Sequence, residues 1–389
     1  MTNKVYQVPY GTKDILPGEM KARRRIEDAI IRVFDNWGYD EVKTPDFEYA
    51  DTLGKVGTKG DFRFFDRDNN LLALRSDMTA PIARLTATRL QGGEPIKRLC
   101  YLANLYRYEE IQAGRQCEFE QAGVELLGAS GPAADAEIIV LAAEALQAAG
   151  VQQFAISLGH VDFINGLAQE AGFDAEQINQ LKTCLRRHDA VGMQQMADAM
   201  GHIRPEIKRL LADLLFLQGG AELLERVRGI VTDPLCLSAL QDLQRIYELV
   251  EAYGAARYLS FDLGLYRSLD YYTGMLFEAY LPEMGYPIAG GGRYDKMMED
   301  FGLSCPATGF ALGVDRVALA LERSGLVRAV RSWDVLVAWS EGKLPEAIAK
   351  ATALRGEGRS VKLCTEAMDL AAAAAAVKEY CCSSLVYVS

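Results

Sequence analysis

The sequence has little histidine and no paired cysteine motif, which narrows the kinds of site it can contain. Its three histidines, His160, His188 and His202, are far apart, and none of the eight cysteines belongs to a CxxC or Cys/His cluster. Zinc sites and disulfide frameworks depend on such spacings. We therefore expect neither a metal site nor a disulfide framework, and the scattered thiols favour a cytoplasmic protein with reduced cysteines.

Long apolar runs and a basic charge balance are also missing. No apolar run approaches the roughly 20 residues that a membrane-spanning helix needs, and the N-terminus lacks the apolar core of a signal peptide. The formal net charge is −11, with 42 Lys and Arg against 53 Asp and Glu, whereas nucleic-acid-binding domains are normally basic. Neither a membrane protein nor a free-standing nucleic-acid binder is expected, although a local basic groove stays compatible with this balance.

Length and pattern predict an α+β chain of two domains. With 389 residues, the chain exceeds one average domain. Residues 1–327 mix strand and helix patterns, but from about 161 to 253 helical periodicity dominates, which predicts a helical insertion. Residues 332–389 alternate between strand and helix patterns and predict a small α/β domain.

The stretch from Leu99 to Gly128 predicts two strands joined by a polar loop. Its second strand alternates, so that Gln121 and Glu125 share one face. Such a face is either solvated or the polar floor of a ligand pocket. Arg107 and Arg115 bracket the loop, as a clamp for an anion would.

Three further polar clusters lie at or between predicted strands. They are Arg75 with Asp77 and Thr79, the segment Arg267–Gly274, and the pair Gly290–Asp295 and Gly309–Arg316. Each has a structural alternative, such as a helix cap at Asp77 or a tight turn at Gly290–Gly292. Together, arginines beside small residues suit a carboxylate or a polyanion, and acidic, amide and phenol groups suit an amine or a polar heterocycle. The clusters predict an amino-acid pocket, alone or with a nucleotide beside it.

The chain from about Tyr6 to Arg323 resembles the catalytic core of class II histidyl-tRNA synthetases. Four stretches carry this resemblance: Tyr106–Glu125 and Gly309–Arg316, which resemble the second and third class II motifs, and Leu74–Thr79 and Arg267–Asp295, which resemble histidine-specific segments. The resemblance implies an antiparallel sheet flanked by helices, with a helical insertion. It also implies a dimer formed through Gly38–Glu48.

The same resemblance implies a role for each candidate residue. The roles are contacts with the α-amino group (Asp77, Thr79), the carboxylate (Gln121, Arg267) and the imidazole (Glu125, Tyr271, Tyr272) of histidine, and with ATP and its surroundings (Arg107, Arg115, Arg316). We treat all of them except Arg316 as a histidine-like pocket, and Arg316 as a remnant of the nucleotide side. No catalytic residue is expected, and no metal or other cofactor.

Two departures from the synthetase pattern alter the expected function. Synthetases usually have Arg-Pro where this chain has Glu110 and Ile111, and Tyr-Arg where it has Gln116 and Cys117. An opposed like charge at about 4 Å costs roughly 1 kcal/mol in water and several in a cleft, so ATP and tRNA binding should weaken. In addition, Trp333–Ser389 has room for three strands, fewer than the synthetase anticodon domain has.

These departures resemble a paralogous family, the regulatory subunits of ATP phosphoribosyltransferase, as do Ala73–Ala80 and Ser157–Val161. The resemblance implies a non-catalytic protein that associates with a short catalytic subunit, as dimers within a hetero-octamer. It would activate that subunit and mediate feedback inhibition by histidine in the first step of histidine biosynthesis, without tRNA. Two alternatives are open: a histidine–tRNA ligase, since Arg107, Arg267 and Arg316 are retained, and a structural adaptor with a vestigial pocket.

Overall fold

The computed structural model describes residues 4–54, 60–108, 116–200, 203–267, 271–282, 284–325 and 333–389. The chain forms two compact units, Met1–Asp14 with Arg23–Val327, and Ile15–Ala22 with Arg328–Ser389. The strands are β1 Asp40–Glu41, β2 Phe47–Tyr49, β3 Arg63–Phe65, β4 Leu71–Leu74, β5 Lys97–Tyr106, β6 Glu118–Leu127, β7 Ala155–His160, β8 Gln218–Gly219, β9 Leu259–Asp262, β10 Met275–Tyr280, β11 Ala289–Arg293, β12 Ala307–Gly313, β13 Trp333–Trp339, β14 Val361–Leu363 and β15 Cys382–Val388. The α-helices are α1 Pro17–Asn36, α2 Ala50–Gly54, α3 Thr79–Arg89, α4 Pro132–Ala148, α5 Val161–Glu170, α6 Ala175–Arg187, α7 Ala190–Ala199, α8 Pro205–Ala212, α9 Ala221–Arg228, α10 Pro234–Ala252, α11 Val314–Arg323, α12 Leu344–Gly356 and α13 Leu370–Glu379.

A nine-stranded sheet is the centre of the larger unit, with the order β1-β5-β6-β12-β11-β10-β7-β9-β8. Its strands are antiparallel except at β1–β5 and β7–β9, which pair in parallel. The expected α+β fold, with a largely antiparallel sheet flanked by helices, is confirmed.

The hairpin β5–β6 pairs over ten residues, from Lys97 opposite Leu127 to Tyr106 opposite Glu118. Alternation explains its position, because Ala122, Val124 and Leu126 are buried on one face, in the same core as α4. Helix α4 is rich in alanine, which lets it approach the sheet closely. The other face of β6 is thereby left for the polar residues.

Helices α5–α10 follow one another from Val161 to Ala252, interrupted by the short strand β8. Each has an apolar stripe at helical spacing that packs into the same core, exemplified by Leu181 and Leu185 on α6 and by Leu240 and Leu243 on α10.

A separate three-stranded sheet, β2-β4-β3, precedes α3. No helix in these described segments is long and apolar enough to cross a membrane.

The smaller unit contains a parallel sheet in the order β14-β13-β15. The central strand β13 is buried, as its run of apolar residues from Val335 to Trp339 predicts. The third strand, β15, begins at Cys382, three residues before the apolar run that starts at Leu385. All eight cysteines of the chain are free thiols.

Candidate functional site

Four neighbouring strands form the floor of a cavity on one face of the large sheet. On β6, Gln121 and Glu125 lie opposite Gly313 and Gly309 of β12. Because cross-strand partners point to the same face, the polar groups of β6 project over a surface of glycines. The small residues of β11 and β12 therefore provide space in front of the carboxyl and amide groups.

This inner cavity has a volume of about 90 Å³. It is lined by eight of the ten predicted site residues: Asp77, Thr79, Arg107, Gln121, Glu125, Arg267, Tyr271 and Tyr272. Arg316 lies instead in the wall of an adjoining cavity, and Arg115 lies outside the described residues. Residues from distant parts of the chain are thus brought together as the sequence predicts.

Glu125 is the buried carboxyl group at the base of the inner cavity. It is 3% exposed, so this face of β6 is a pocket floor and not a solvated face. Its carboxylate accepts hydrogen bonds from Thr79 Oγ1 at 3.0 Å and from the Tyr294 hydroxyl. Burial raises the Glu125 pKa to about 8, against the opposing effect of these two hydrogen bonds.

Asp77 is a second buried carboxyl group, and only one of its oxygens has a partner among the described residues. Oδ1 accepts a hydrogen bond from the Ala80 amide in the first turn of α3, at 3.1 Å, whereas the buried Oδ2 has no such partner. Burial raises the Asp77 pKa. The helix-cap interpretation therefore holds for Oδ1, whereas Oδ2 is a buried acceptor that no described residue satisfies.

Arg267 lies flat against the glycine run of β11. A Cβ atom at Gly290 would lie 2.1 Å from Arg267 Nη1, a buried nitrogen without a hydrogen-bond partner in the described part of the chain. Nε lies 3.4 Å from Glu278 Oε1. The interpretation of Gly290–Gly292 as a tight turn is wrong, because these glycines form a central strand whose lack of side chains makes room for the guanidinium.

A wall of three tyrosines, Tyr271, Tyr272 and Tyr294, closes another side of the inner cavity. The ring of Tyr271 lies 4.7 Å from that of Tyr272 and 5.9 Å from that of Tyr294, centre to centre. A Cβ at Gly292 would lie 2.9 Å from the Tyr272 ring, so this wall also depends on a glycine of β11.

The lining residues that are absent from the predicted site include two tyrosines, Tyr294 and Tyr101. Tyr294 belongs to the Gly290–Asp295 segment already identified, but nothing in the local pattern pairs it with Glu125. Tyr101 lies opposite Gly123 in the β5–β6 register, and its hydroxyl fills the place of a Cβ there, at 2.4 Å. Assigning the hairpin register from the sequence would have found Tyr101.

The adjoining outer cavity is larger, at about 210 Å³, and shares Arg107, Gln121 and Arg267 with the inner one. Arg316 donates from Nη1 to the Pro287 carbonyl at 2.6 Å, and its guanidinium lies 5.1 Å from the Tyr286 ring centre. These contacts fix Arg316 to the wall of the outer cavity.

Two carboxylates of the outer cavity, Glu120 and Asp315, are held by a buried arginine of α1. Arg23 contacts Asp315 at 2.6 Å, Glu120 at 3.0 Å and Glu27 at 3.2 Å. Burial raises the Glu120 pKa to about 7, and Glu27 adds to this increase against the effect of Arg23. No sequence signal connects Arg23 with residues so far along the chain, and this network was not predicted.

The described residues contain no acidic, His or Cys cluster suited to a metal ion.

The sheet, the helical insertion and the lining of the inner cavity define a protein of the histidyl-tRNA synthetase class. The family model described as histidyl-tRNA synthetase matches residues 11–317. A histidyl-tRNA synthetase from Nostoc sp. superposes with a TM-score of 0.84 over 96% of this chain and 89% of its own, at 21% identity, which supports the fold alone.

Comparison with relatives of known name identifies the family within this class. The chain is 42% identical to the ATP phosphoribosyltransferase regulatory subunit of Desulforamulus reducens, over 90% of this chain and 88% of the relative. It is 42% identical to that of Moorella thermoacetica, over 96% of both. A Bacillus halodurans protein titled "ATP phosphoribosyltransferase regulatory subunit/histidyl-tRNA synthetase" is 33% identical, with a TM-score of 0.89 over 100% of both chains. The chain belongs to the family of ATP phosphoribosyltransferase regulatory subunits.

Proposed function

We propose that this protein is the non-catalytic regulatory subunit of an ATP phosphoribosyltransferase and that its inner cavity binds histidine as the feedback effector. The family supports the regulatory role. The histidine assignment depends on two buried polar atoms of oppositely charged side chains, Asp77 Oδ2 and Arg267 Nη1. Neither atom has a hydrogen-bond partner in the described part of the chain, and both side chains line the inner cavity. A buried unsatisfied polar group is costly, so each favours a ligand that supplies its partner.

A zwitterionic amino acid supplies both partners at once. Its ammonium group would contact Asp77 and Thr79, and its carboxylate would contact Arg267 and Gln121. Its side chain would then extend towards Glu125 and the tyrosine wall. Imidazole suits that end, because it donates an N–H to a carboxyl group and stacks on aromatic rings.

The partner in this proposal is a short catalytic subunit, with this protein forming dimers through Gly38–Glu48 within a hetero-octamer in the cytoplasm. This chain would catalyse no reaction itself and would need neither a cofactor nor tRNA. It would activate the catalytic subunit and transmit histidine inhibition in the first step of histidine biosynthesis. Such inhibition requires histidine to bind one state of the complex more tightly than the other.

The second candidate is a histidine–tRNA ligase, favoured by the retained Arg107, Arg267 and Arg316. The carboxylates of Glu120 and Asp315 in the wall of the outer cavity count against this candidate, because they reduce the attraction of the arginines there for a polyphosphate. A histidine-dependent ATP–pyrophosphate exchange assay separates the two. We expect no exchange above background, and exchange at an ordinary synthetase rate would overturn the proposal.

A reconstitution experiment tests the regulatory role directly. The protein is mixed with the short catalytic subunit of the same organism, and size-exclusion chromatography with light scattering gives the mass of the complex. Phosphoribosyl transfer to ATP is then measured with and without this protein, across a histidine titration. We expect a complex, higher activity and inhibition by histidine; two separate elution peaks with unchanged activity would contradict the assignment.

A further inference from the structure

The end of strand β11 is tied to helix α4 by a buried ion pair. Arg293, 7% exposed, donates from Nε and Nη2 to the carboxylate of Asp135, which is 5% exposed. The two distances are 3.1 and 2.8 Å. Nη1 also donates to the Ala129 carbonyl at 3.2 Å. The bidentate contact with Asp135 fixes the guanidinium on the first turn of α4, and the Ala129 contact ties it to the segment before that helix.

The same arginine reaches towards the tyrosine wall. Its Nη1 donates to Asp295 Oδ1 at 3.0 Å, and the backbone amide of Asp295 donates to Thr273 Oγ1 at 3.0 Å. The Thr273 amide donates in turn to the Arg293 carbonyl at 2.8 Å. Asp135, Arg293, Asp295 and Thr273 thus form a continuous hydrogen-bonded chain, here called the Arg293 latch.

The latch ends directly beside the pocket tyrosines. Thr273 follows Tyr271 and Tyr272 in the chain, and strand β10 starts only at Met275. A Cβ at Gly274 would lie 3.1 Å from Arg293 Cδ, so the backbone there packs closely on the arginine stem. The two tyrosines therefore lie on non-strand backbone that leads directly into the latch at Thr273.

We infer that Arg293 is a positioning residue for the inner cavity, which acts through Asp295 and Thr273 to hold Tyr271 and Tyr272 against the ligand. This inference rests on the proposed function, because the ligand that the tyrosines would contact is the histidine proposed there. If the Arg293–Asp135 ion pair only stabilised the fold, the hydrogen bond from Asp295 to Thr273 would have no effect on ligand binding. The consequence is that weakening this end lowers histidine affinity although no residue that lines the cavity is changed.

Thr273→Val tests the latch, since it removes the hydroxyl and keeps the side-chain shape. Thr273→Ser keeps the hydroxyl and serves as the rescue variant. Thr183→Val is the matched control, because the Thr183 hydroxyl donates to the Asn179 carbonyl in an exposed contact on α6, and Thr183 does not line the inner cavity. Hydrogen exchange of the Asp295 amide is measured in the ligand-free protein, and the dissociation constant of histidine by calorimetry.

We expect Thr273→Val to speed exchange of the Asp295 amide and to weaken histidine binding by about tenfold, comparable to the loss of one hydrogen bond. Thr273→Ser and Thr183→Val should both behave as the wild type. Unchanged histidine affinity in Thr273→Val, with or without a lower melting temperature, would overturn the inference. If the wild-type protein binds no histidine, the proposed function fails, and unchanged Asp295 exchange in Thr273→Val would then overturn the latch independently.

Discussion

Glu125 shows how burial controls the charge of the site at the residue scale. Its pKa is raised from 4.5 to about 8 because burial disfavours the carboxylate. The folded protein therefore holds this proton over a pH range in which the unfolded chain has lost it. Its contribution to stability is fully present below pH 4.5 and is lost as the pH rises through about 8.

Replacing Glu125 with glutamine removes this titration while retaining a similar shape. We expect the stability of Glu125→Gln relative to wild type to rise steadily between about pH 5 and pH 8, because only the wild type loses its proton-linked stabilisation over that range. Urea unfolding at a series of pH values gives the difference. Glu251→Gln, at an exposed position of α10, is the control and should give a flat difference; a flat difference for Glu125→Gln would contradict the raised pKa.

Gly290→Ala tests the fit between β11 and Arg267. The new methyl group would lie 2.1 Å from Nη1, so the flexible guanidinium has to move away from the position proposed for the histidine carboxylate. We expect histidine affinity to fall by at least about tenfold, the loss of one charged hydrogen bond, as measured by calorimetry.

Gly285→Ala is the matched control for this change, because nothing lies within 4 Å of a Cβ there. It should bind histidine as the wild type does. Wild-type affinity in Gly290→Ala would show that Arg267 does not hold the ligand at this position.

At the scale of elements, local pattern predicted the hairpin β5–β6 because alternation and length are properties of the sequence itself. For β10 the local pattern predicts a strand over Ser268–Tyr280, whereas β10 begins at Met275; residues 268–270 lie outside the described residues. The reason is tertiary, since the Thr273 amide bonds to the Arg293 carbonyl outside the strand ladder. The contact of Tyr294 with Glu125 and that of Arg23 with Asp315 were missed for the same reason. They join segments whose proximity depends on the whole sheet.

The contact of α1 with β6 and α11 depends on Arg23, whose side chain is 9% exposed. Removing it leaves the carboxylates of Glu27, Glu120 and Asp315 close together without their shared cation. We expect Arg23→Met to lower the free energy of unfolding by about 3–5 kcal/mol at pH 8. The loss should be smaller at pH 6, because Glu120, with a pKa of about 7, then takes up a proton.

Arg24→Met is the control for this prediction, since Arg24 pairs with Glu27 from a side chain that is 60% exposed. Such a surface pair contributes about 0–1 kcal/mol. Chemical denaturation of the two variants at both pH values gives the comparison. Equal losses for Arg23→Met and Arg24→Met would show that the buried network does not stabilise this contact.

At the scale of the whole molecule, sensing and activation are separable in principle. In the proposed function, histidine binding would depend on side chains inside the larger unit, whereas activation would depend on a surface that meets the catalytic subunit. Linkage requires histidine to change the affinity for the partner by the same factor by which the partner changes the affinity for histidine. We expect a change confined to the cavity to remove inhibition and to leave activation.

Asp77→Asn makes such a change, because Asn Oδ1 still accepts the Ala80 amide of α3 while the charge opposite the ligand ammonium is lost. In the reconstituted complex we expect normal activation and at least about a tenfold higher histidine concentration for half-inhibition, as one charged contact is removed. Asp28→Asn, exposed on α1, should leave both unchanged. Retained inhibition in Asp77→Asn would place the histidine site elsewhere, and loss of activation in a folded variant would show that the cavity and the partner surface are one structure.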